Sequence, residues 1–195
     1  MLKVAFDMDG VIADFRYVFK LEVLKKYGHD IDRPTRRGGK ITHRLAVPDV
    51  DDKSINNMIY NVIANLSKEI YPYNDVKEAL TLFYSYYDRP VTIVTARDKD
   101  KEGVKDATEL WLKTHFPEIE FEVVYARHKD KAIYLKENKY DSFVEDRLKN
   151  ANAIADVVRR VFLVDRIWNL GRDTKPSVIR VNSLRQAVLA ILNGT

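Results

Sequence analysis

The sequence predicts an α/β protein: a parallel sheet with helices on both faces, and a small helical insertion after the first strand. Three observations predict it. From Val91 onward, short runs rich in β-branched residues alternate with helical patterns of about ten residues, the rhythm of parallel strands joined by crossover helices. The first apolar run, Leu2-Lys3-Val4-Ala5-Phe6, stops abruptly on Asp7-Met8-Asp9-Gly10-Val11. Between Arg16 and Tyr73 the strand rhythm is absent and two helical periodicities take its place.

In order along the chain, Asp14 is a candidate N-cap for a helix carrying Phe15, Val18, Phe19, Val23 and Leu24, with Gly28 as its stop. His29 to Lys40 is polar and basic, holds Pro34 and Gly38-Gly39, and reads as a loop. Ile55, Met58, Ile59, Val62, Ile63 and Leu66 mark a second helix, and the insertion closes near Tyr71-Pro72-Tyr73. Asn74 or Asp75 caps a third helix that runs to about Tyr87. The expected strands are Val91–Thr95, Phe121–Tyr125, Ser142–Val144, Val161–Val164 and Val178–Val181. The helices between and after them are expected at Glu102–His115, Asp130–Asn138, Lys149–Val157 and Ser183–Leu192. The sheet-bearing core is thus expected to comprise residues 1–15 and 74–195, and the helical insertion residues 16–73.

The 195 residues suffice for one core with such an elaboration. The absence of cysteine excludes disulfides, thiolate metal sites and a cysteine nucleophile, and suits a cytoplasmic location. No apolar run reaches the length of a membrane span, and no signal-peptide pattern precedes the first strand. The whole formal charge of +4 lies between Arg16 and Tyr73, where Arg33, Arg36, Arg37, Lys40 and Arg44 cluster. Such a patch steers anionic substrates or nucleic acid, or is simply a solvated face.

The chemistry starts from Asp7 and Asp9. Residues i and i+2 of an extended segment point the same way, so both carboxylates can face one small volume at a strand end. They repel unless a cation or a shared proton intervenes, and an all-oxygen donor set suits Mg2+. Three further points supply partners: Thr95-Ala96-Arg97 at a strand end, Lys131 at a helix start, and Glu145-Asp146 after Ser142-Phe143-Val144. Thr95 and the Ala96 N–H are candidate phosphate donors, and Lys131 a candidate neutralising cation, with Lys129 as its rival. Each piece alone is an ordinary strand threonine, helix lysine or helix cap; their order and placement carry the argument.

With these residues in place, the sequence resembles the haloacid dehalogenase (HAD) superfamily phosphatases. Asp7-Met8-Asp9-Gly10-Val11 resembles their first motif, Thr95 the second, Lys131 the third and Glu145-Asp146 the fourth. The resemblance implies a Rossmann-like core with a C1-type cap and Mg2+-dependent monoester hydrolysis. Asp7 would be the nucleophile and Asp9 the acid and base, with metal ligation through Asp7, Asp9 and Asp146. A narrower resemblance, to the 5'(3')-deoxyribonucleotidases, rests on Asp7 through Phe15, on Thr95-Ala96-Arg97, and on Val144-Glu145-Asp146-Arg147 followed by Asn150-Ala151. It also includes Phe162-Leu163-Val164-Asp165-Arg166 with Trp168-Asn169. Leu148 and Ile167 stand where that family often has proline, and Glu145 where many members have aspartate. This resemblance implies a nucleoside monophosphate as substrate, with Phe15, Phe19, Arg44 and Tyr73 as candidate contacts. A polynucleotide 3'-phosphatase uses the same core chemistry, and a non-catalytic phosphate-binding domain is a reading from another class. Dehalogenation on this fold needs no metal, and the acids at Asp9 and Glu145-Asp146 argue against it. The apolar surface of the insertion is a candidate homodimer contact or a substrate wall.

Overall fold

In the computed structural model, residues 2–32, 35–37, 40–42, 47 and 49–194 are described. Six strands form one sheet, all neighbours parallel: β1 (Val4–Phe6), β4 (Val91–Thr95), β5 (Phe121–Tyr125), β6 (Ser142–Glu145), β7 (Arg160–Val164) and β8 (Val178–Val181). Their order is β5-β4-β1-β6-β7-β8. The chain builds outward from β1 on one side, then returns to build outward on the other. That reversal beside β1 is a topological switch point, where open α/β sheets place their ligands beyond the strands' carboxyl ends.

Helices α3 (Val76–Tyr87), α4 (Val104–His115), α5 (Lys131–Glu137), α6 (Leu148–Ile154) and α7 (Leu184–Leu192) cover the sheet. The period-2 alternation of the strands sorts the core into two layers. Phe6, Ile93, Val144 and Phe162 face the layer that includes α3, α4 and α7. Ala5, Val94, Phe143 and Leu163 face α5 and α6. The central strands are apolar on both faces because both are covered.

After β1 come α1 (Phe15–Tyr27), the two three-residue strands β2 (Thr35–Arg37) and β3 (Lys40–Thr42), α2 (Asp52–Asn65) and a 3-10 turn at Ser67–Glu69. Asp14 caps α1 by accepting the Tyr17 N–H, and Gly28 ends it in the left-handed region at φ 63°. Asp51 caps α2 by accepting the Ser54 N–H. The departing and returning segments are paired: the Asp14 N–H donates to the Tyr71 carbonyl at 2.9 Å and the Tyr73 N–H to the Ile12 carbonyl at 3.1 Å. The insertion is joined to the sheet layer by packing of α2 on α4 and by the Trp111 indole N–H, which donates to the Ile70 carbonyl at 2.7 Å. Among the described residues, no helix is long and apolar enough to cross a membrane.

Three expectations are corrected. The loop expected at His29–Lys40 contains β2, which pairs antiparallel with β3. α4 begins at Val104 rather than Glu102, because Gly103 sits at φ +74° and breaks the helical path. α6 ends at Ile154, short of Val157, and turns before β7.

Candidate active site

Four segments meet at the carboxyl edge of β1. Asp7 follows β1 directly, and its N–H donates to the Val144 carbonyl at 2.9 Å, continuing the pairing with β6 by one residue. Its carboxylate is almost fully buried. Oδ1 accepts the Met8 N–H at 2.7 Å and lies 2.7 Å from Lys131 Nζ. Lys131, the first residue of α5, has no exposed surface and also lies 3.3 Å from Glu145 Oε2. Lys129 is exposed. Burial pulls the Lys131 pKa down, but Asp7 and Glu145 more than offset that and hold it above its ordinary value.

The two acids ending β6 do different work. Glu145 accepts from the Asp146 and Arg147 N–H groups through Oε1 and from Asn150 and Lys131 through Oε2. Asp146 receives the Trp168 indole N–H at 2.8 Å on Oδ2, while its Oδ1 is buried without any partner. A buried carboxylate oxygen without a donor is costly, and it is the kind of atom a cation completes. Asp7, Glu145 and Asp146 each bring a carboxylate oxygen within 4.8 Å of the others. Three buried carboxylates against one lysine leave two formal negative charges, which a divalent ion balances. The donors are all oxygen, as Mg2+ prefers. Gly10, at φ +88°, makes room: a β-carbon there would overlap the Asp146 carboxyl group. The residues therefore fit a divalent cation. With none bound, Asp146 is pushed up to about 6, by burial first and by Asp7 beside it. Asp7 is held well above the usual carboxylate range by burial and by Glu145, with Lys131 pulling the other way.

Asp9 is placed differently. Its side chain keeps 28% of its surface, so it is the acid of this group that faces the open side. Both of its oxygens are taken by Arg97, whose Nη2 donates to Oδ1 at 2.7 Å and Nε to Oδ2 at 2.9 Å. Thr95 is buried, and its hydroxyl oxygen accepts the Arg97 N–H at 3.3 Å, a bond that does not use the hydroxyl proton. Ala96 between them is half-buried.

The candidate substrate contacts fare unevenly. Phe15 and Phe19 are buried and stack on each other at 5.5 Å, so they are core residues and offer a ligand no face. Tyr73 is half-buried. Its hydroxyl donates to Asp14 at 3.1 Å, and one ring face is covered by the Arg166 guanidinium at 3.8 Å. Arg44 lies outside the described residues. Sequence reasoning assigned no task to Arg97, Arg166, Trp168 or Asn169. Arg166 Nε donates to the Gly10 carbonyl at 2.7 Å, and Asn169 Nδ2 to the carbonyls of Asp146 at 2.7 Å and Val164 at 2.8 Å. The signal for the last three was the run Asp165-Arg166 with Trp168-Asn169 at a strand end; its target was not legible.

No protein-family model and no curated protein sequence matches the chain. Solved structures do resemble it. The L-2-haloacid dehalogenase of Xanthobacter autotrophicus superposes with a TM-score of 0.61 at 13% identity, covering all of both chains. CbbY of Rhodobacter sphaeroides, solved in complex with phosphate, gives 0.58 at 15% identity over 95% of this chain and 96% of that one. A haloacid dehalogenase-like family hydrolase of Xanthomonas campestris gives 0.57 at 15% identity over 99% and 95%. The chain thus has the α/β Rossmann-like fold of the HAD-type hydrolases. Dehalogenases and phosphate-binding proteins share it, so the chemistry has to be argued from the site.

Proposed function

We propose that the chain hydrolyses phosphate monoesters with Asp7 as nucleophile, and that its substrates are nucleoside monophosphates, as in the 5'(3')-deoxyribonucleotidases. The observation that carries the reading is the partnerless Asp146 Oδ1 in a buried cluster with Asp7 and Lys131. A dehalogenase has no use for a cation there.

Asp7 attacks phosphorus and forms an aspartyl-phosphate, dividing one displacement into two. Lys131 keeps the attacking carboxylate oriented and neutralises charge on the transferring group. The Thr95 hydroxyl and the Ala96 N–H are the donors for phosphoryl oxygens. The Asp7 and Asp146 carboxylates with the Asp9 carbonyl would hold Mg2+, which when bound offsets charge on those oxygens. Asp9 gives a proton to the departing alcohol and then takes one from the attacking water. Arg97 uses one lone pair on each Asp9 oxygen, which leaves a second on each for the proton.

The nucleotide assignment draws support from the loop of Arg166, Trp168 and Asn169, which is bound into the metal-ligand cluster. A groove of about 250 Å³ lined by Asp14, Tyr17, Tyr71 and Tyr73 offers a nucleobase an aromatic wall. The cytoplasm is the proposed location. The test is a phosphate-release screen with and without Mg2+ over mononucleotides, sugar phosphates and 3'-phosphorylated oligonucleotides, with Asp7→Asn as control. Turnover of mononucleotides that needs Mg2+ and Asp7 is expected. Release from oligonucleotides alone, with affinity falling steeply in salt, moves the substrate to a polymer. Release from nothing in the panel ends the hydrolase reading.

A further inference from the structure

Asp146 is held from three sides. The Asn169 amide fixes its carbonyl at 2.7 Å, Gly10 closes on its carboxyl group, and the Trp168 indole N–H binds Oδ2 at 2.8 Å. With Oδ2 committed, Oδ1 is the oxygen left to serve an ion. Trp168 is in turn covered by Arg16 of α1, whose guanidinium lies 5.0 Å from the ring centroid. Arg16 is itself nearly buried and fixed from within the insertion: Nε donates to Asp32 and Nη2 to the Ile31 carbonyl, both at 2.9 Å. An unbroken line of contacts therefore runs from Asp32 through Arg16 and Trp168 to Asp146.

The choice of indole is informative. Its N–H donates and has no acceptor and no titration near neutrality. A lysine or arginine would satisfy Oδ2 equally well but would set a positive charge beside the cation. A neutral donor orients the ligand without competing with the ion.

We infer that Trp168 is a positioning residue for the divalent cation, setting its affinity by fixing the Asp146 carboxylate, and that Arg16 couples the insertion to that affinity by holding the indole in place. This rests on the reading that Asp7 and Asp146 bind a divalent cation. Partners of metal ligands of this kind are worth about 10–100-fold in affinity. The stacked guanidinium, at an exposed-to-partly-buried strength, is worth about 2–5-fold.

The experiment is calorimetric titration of MgCl2 into the metal-free full chain, as wild type, Trp168→Phe and Arg16→Met. Circular dichroism and urea unfolding check that each variant is folded. Expected is a Kd raised about 10–100-fold in Trp168→Phe and about 2–5-fold in Arg16→Met, with tryptophan emission changing along the same isotherm in the wild type but not in Trp168→Phe, which keeps only Trp111. Equal affinity in folded Trp168→Phe overturns the inference. If that variant does not fold, unchanged affinity in Arg16→Met overturns it instead. A wild type that takes up no Mg2+ by heat or fluorescence removes the cation reading and this inference with it, an outcome distinct from the other two.

Discussion

Arg97 reaches from the end of β4 to grip both carboxylate oxygens of Asp9, at 2.7 and 2.9 Å, while its third nitrogen donates to the Thr108 hydroxyl at 3.1 Å. The guanidinium keeps 1% of its surface, so the fork is built into the core and only the acid side is open. Two parallel N–H bonds fix a carboxylate in angle as well as distance.

If Asp9 is the proton donor to the leaving alcohol, Arg97→Met misplaces it, and substrates that need that proton suffer most. Turnover of nucleoside monophosphates is expected to fall about 100-fold or more. Turnover of p-nitrophenyl phosphate, whose leaving group departs unprotonated, is expected to fall far less. Arg97→Lys is expected to behave like the methionine variant, because one ammonium cannot form the fork. Equal losses on both substrates in steady-state kinetics assign Arg97 to architecture alone.

Lys131 balances three buried acids. Lys131→Met is expected to cost about 3–5 kcal/mol of stability at pH 7.5 in metal-free urea unfolding, since it leaves buried charge unpaired. Part of that loss is expected to return at pH 5, where protons can do what the ammonium did. A loss independent of pH points to packing instead.

The raised pKa of Asp146 has a definite sign in stability. Unfolded, the acid releases its proton near its ordinary 3.8; folded and metal-free, it releases it near 6. Between those values the folded chain holds a proton that the unfolded chain has lost, so metal-free stability falls as pH rises through that window. This group's share is on the order of 3 kcal/mol. Mg2+ competes with the same proton, so the Tm gain on adding Mg2+ is expected to be larger at pH 7.5 than at pH 5. Asp146→Asn is expected to flatten both trends in differential scanning fluorimetry.

Gly10→Ala adds one carbon where the Asp146 carboxyl group already stands, at a φ of +88° that L-residues avoid. The expected result is loss of Mg2+ binding in calorimetry together with a lowered Tm. Unchanged binding shows that Asp146 has room to retreat.

Much of this was legible in residue order. The limits of β4, β5 and β8 coincide with the short runs rich in β-branched and aromatic residues, and the caps Asp14 and Gly28 announced α1. The strand-end acids, Thr95 and Lys131 could be found because such ends are where open sheets gather polar groups. What escaped had no periodic signal. β2 and β3 are three residues each, with polar sequences Thr-Arg-Arg and Lys-Ile-Thr that alternate nothing. Phe15 and Phe19, four apart on a helix, fit a core face and a ligand wall equally well until burial decides. Arg97 finds its partner 88 positions away, and Trp168, beyond the end of β7, finds Asp146 at the end of the neighbouring β6. Such pairings belong to the folded shape, not to any local pattern.

β1 pairs with residues made far later: Ala5 sits opposite Thr92, and Phe6 opposite Val144. A nascent polypeptide therefore carries Asp7 and Asp9 out of the ribosome long before Lys131 or Asp146 exists to receive them. Closing so long a loop is slow. The two acids therefore wait, without Lys131 and Asp146, until more than 130 further residues have been added to the growing chain.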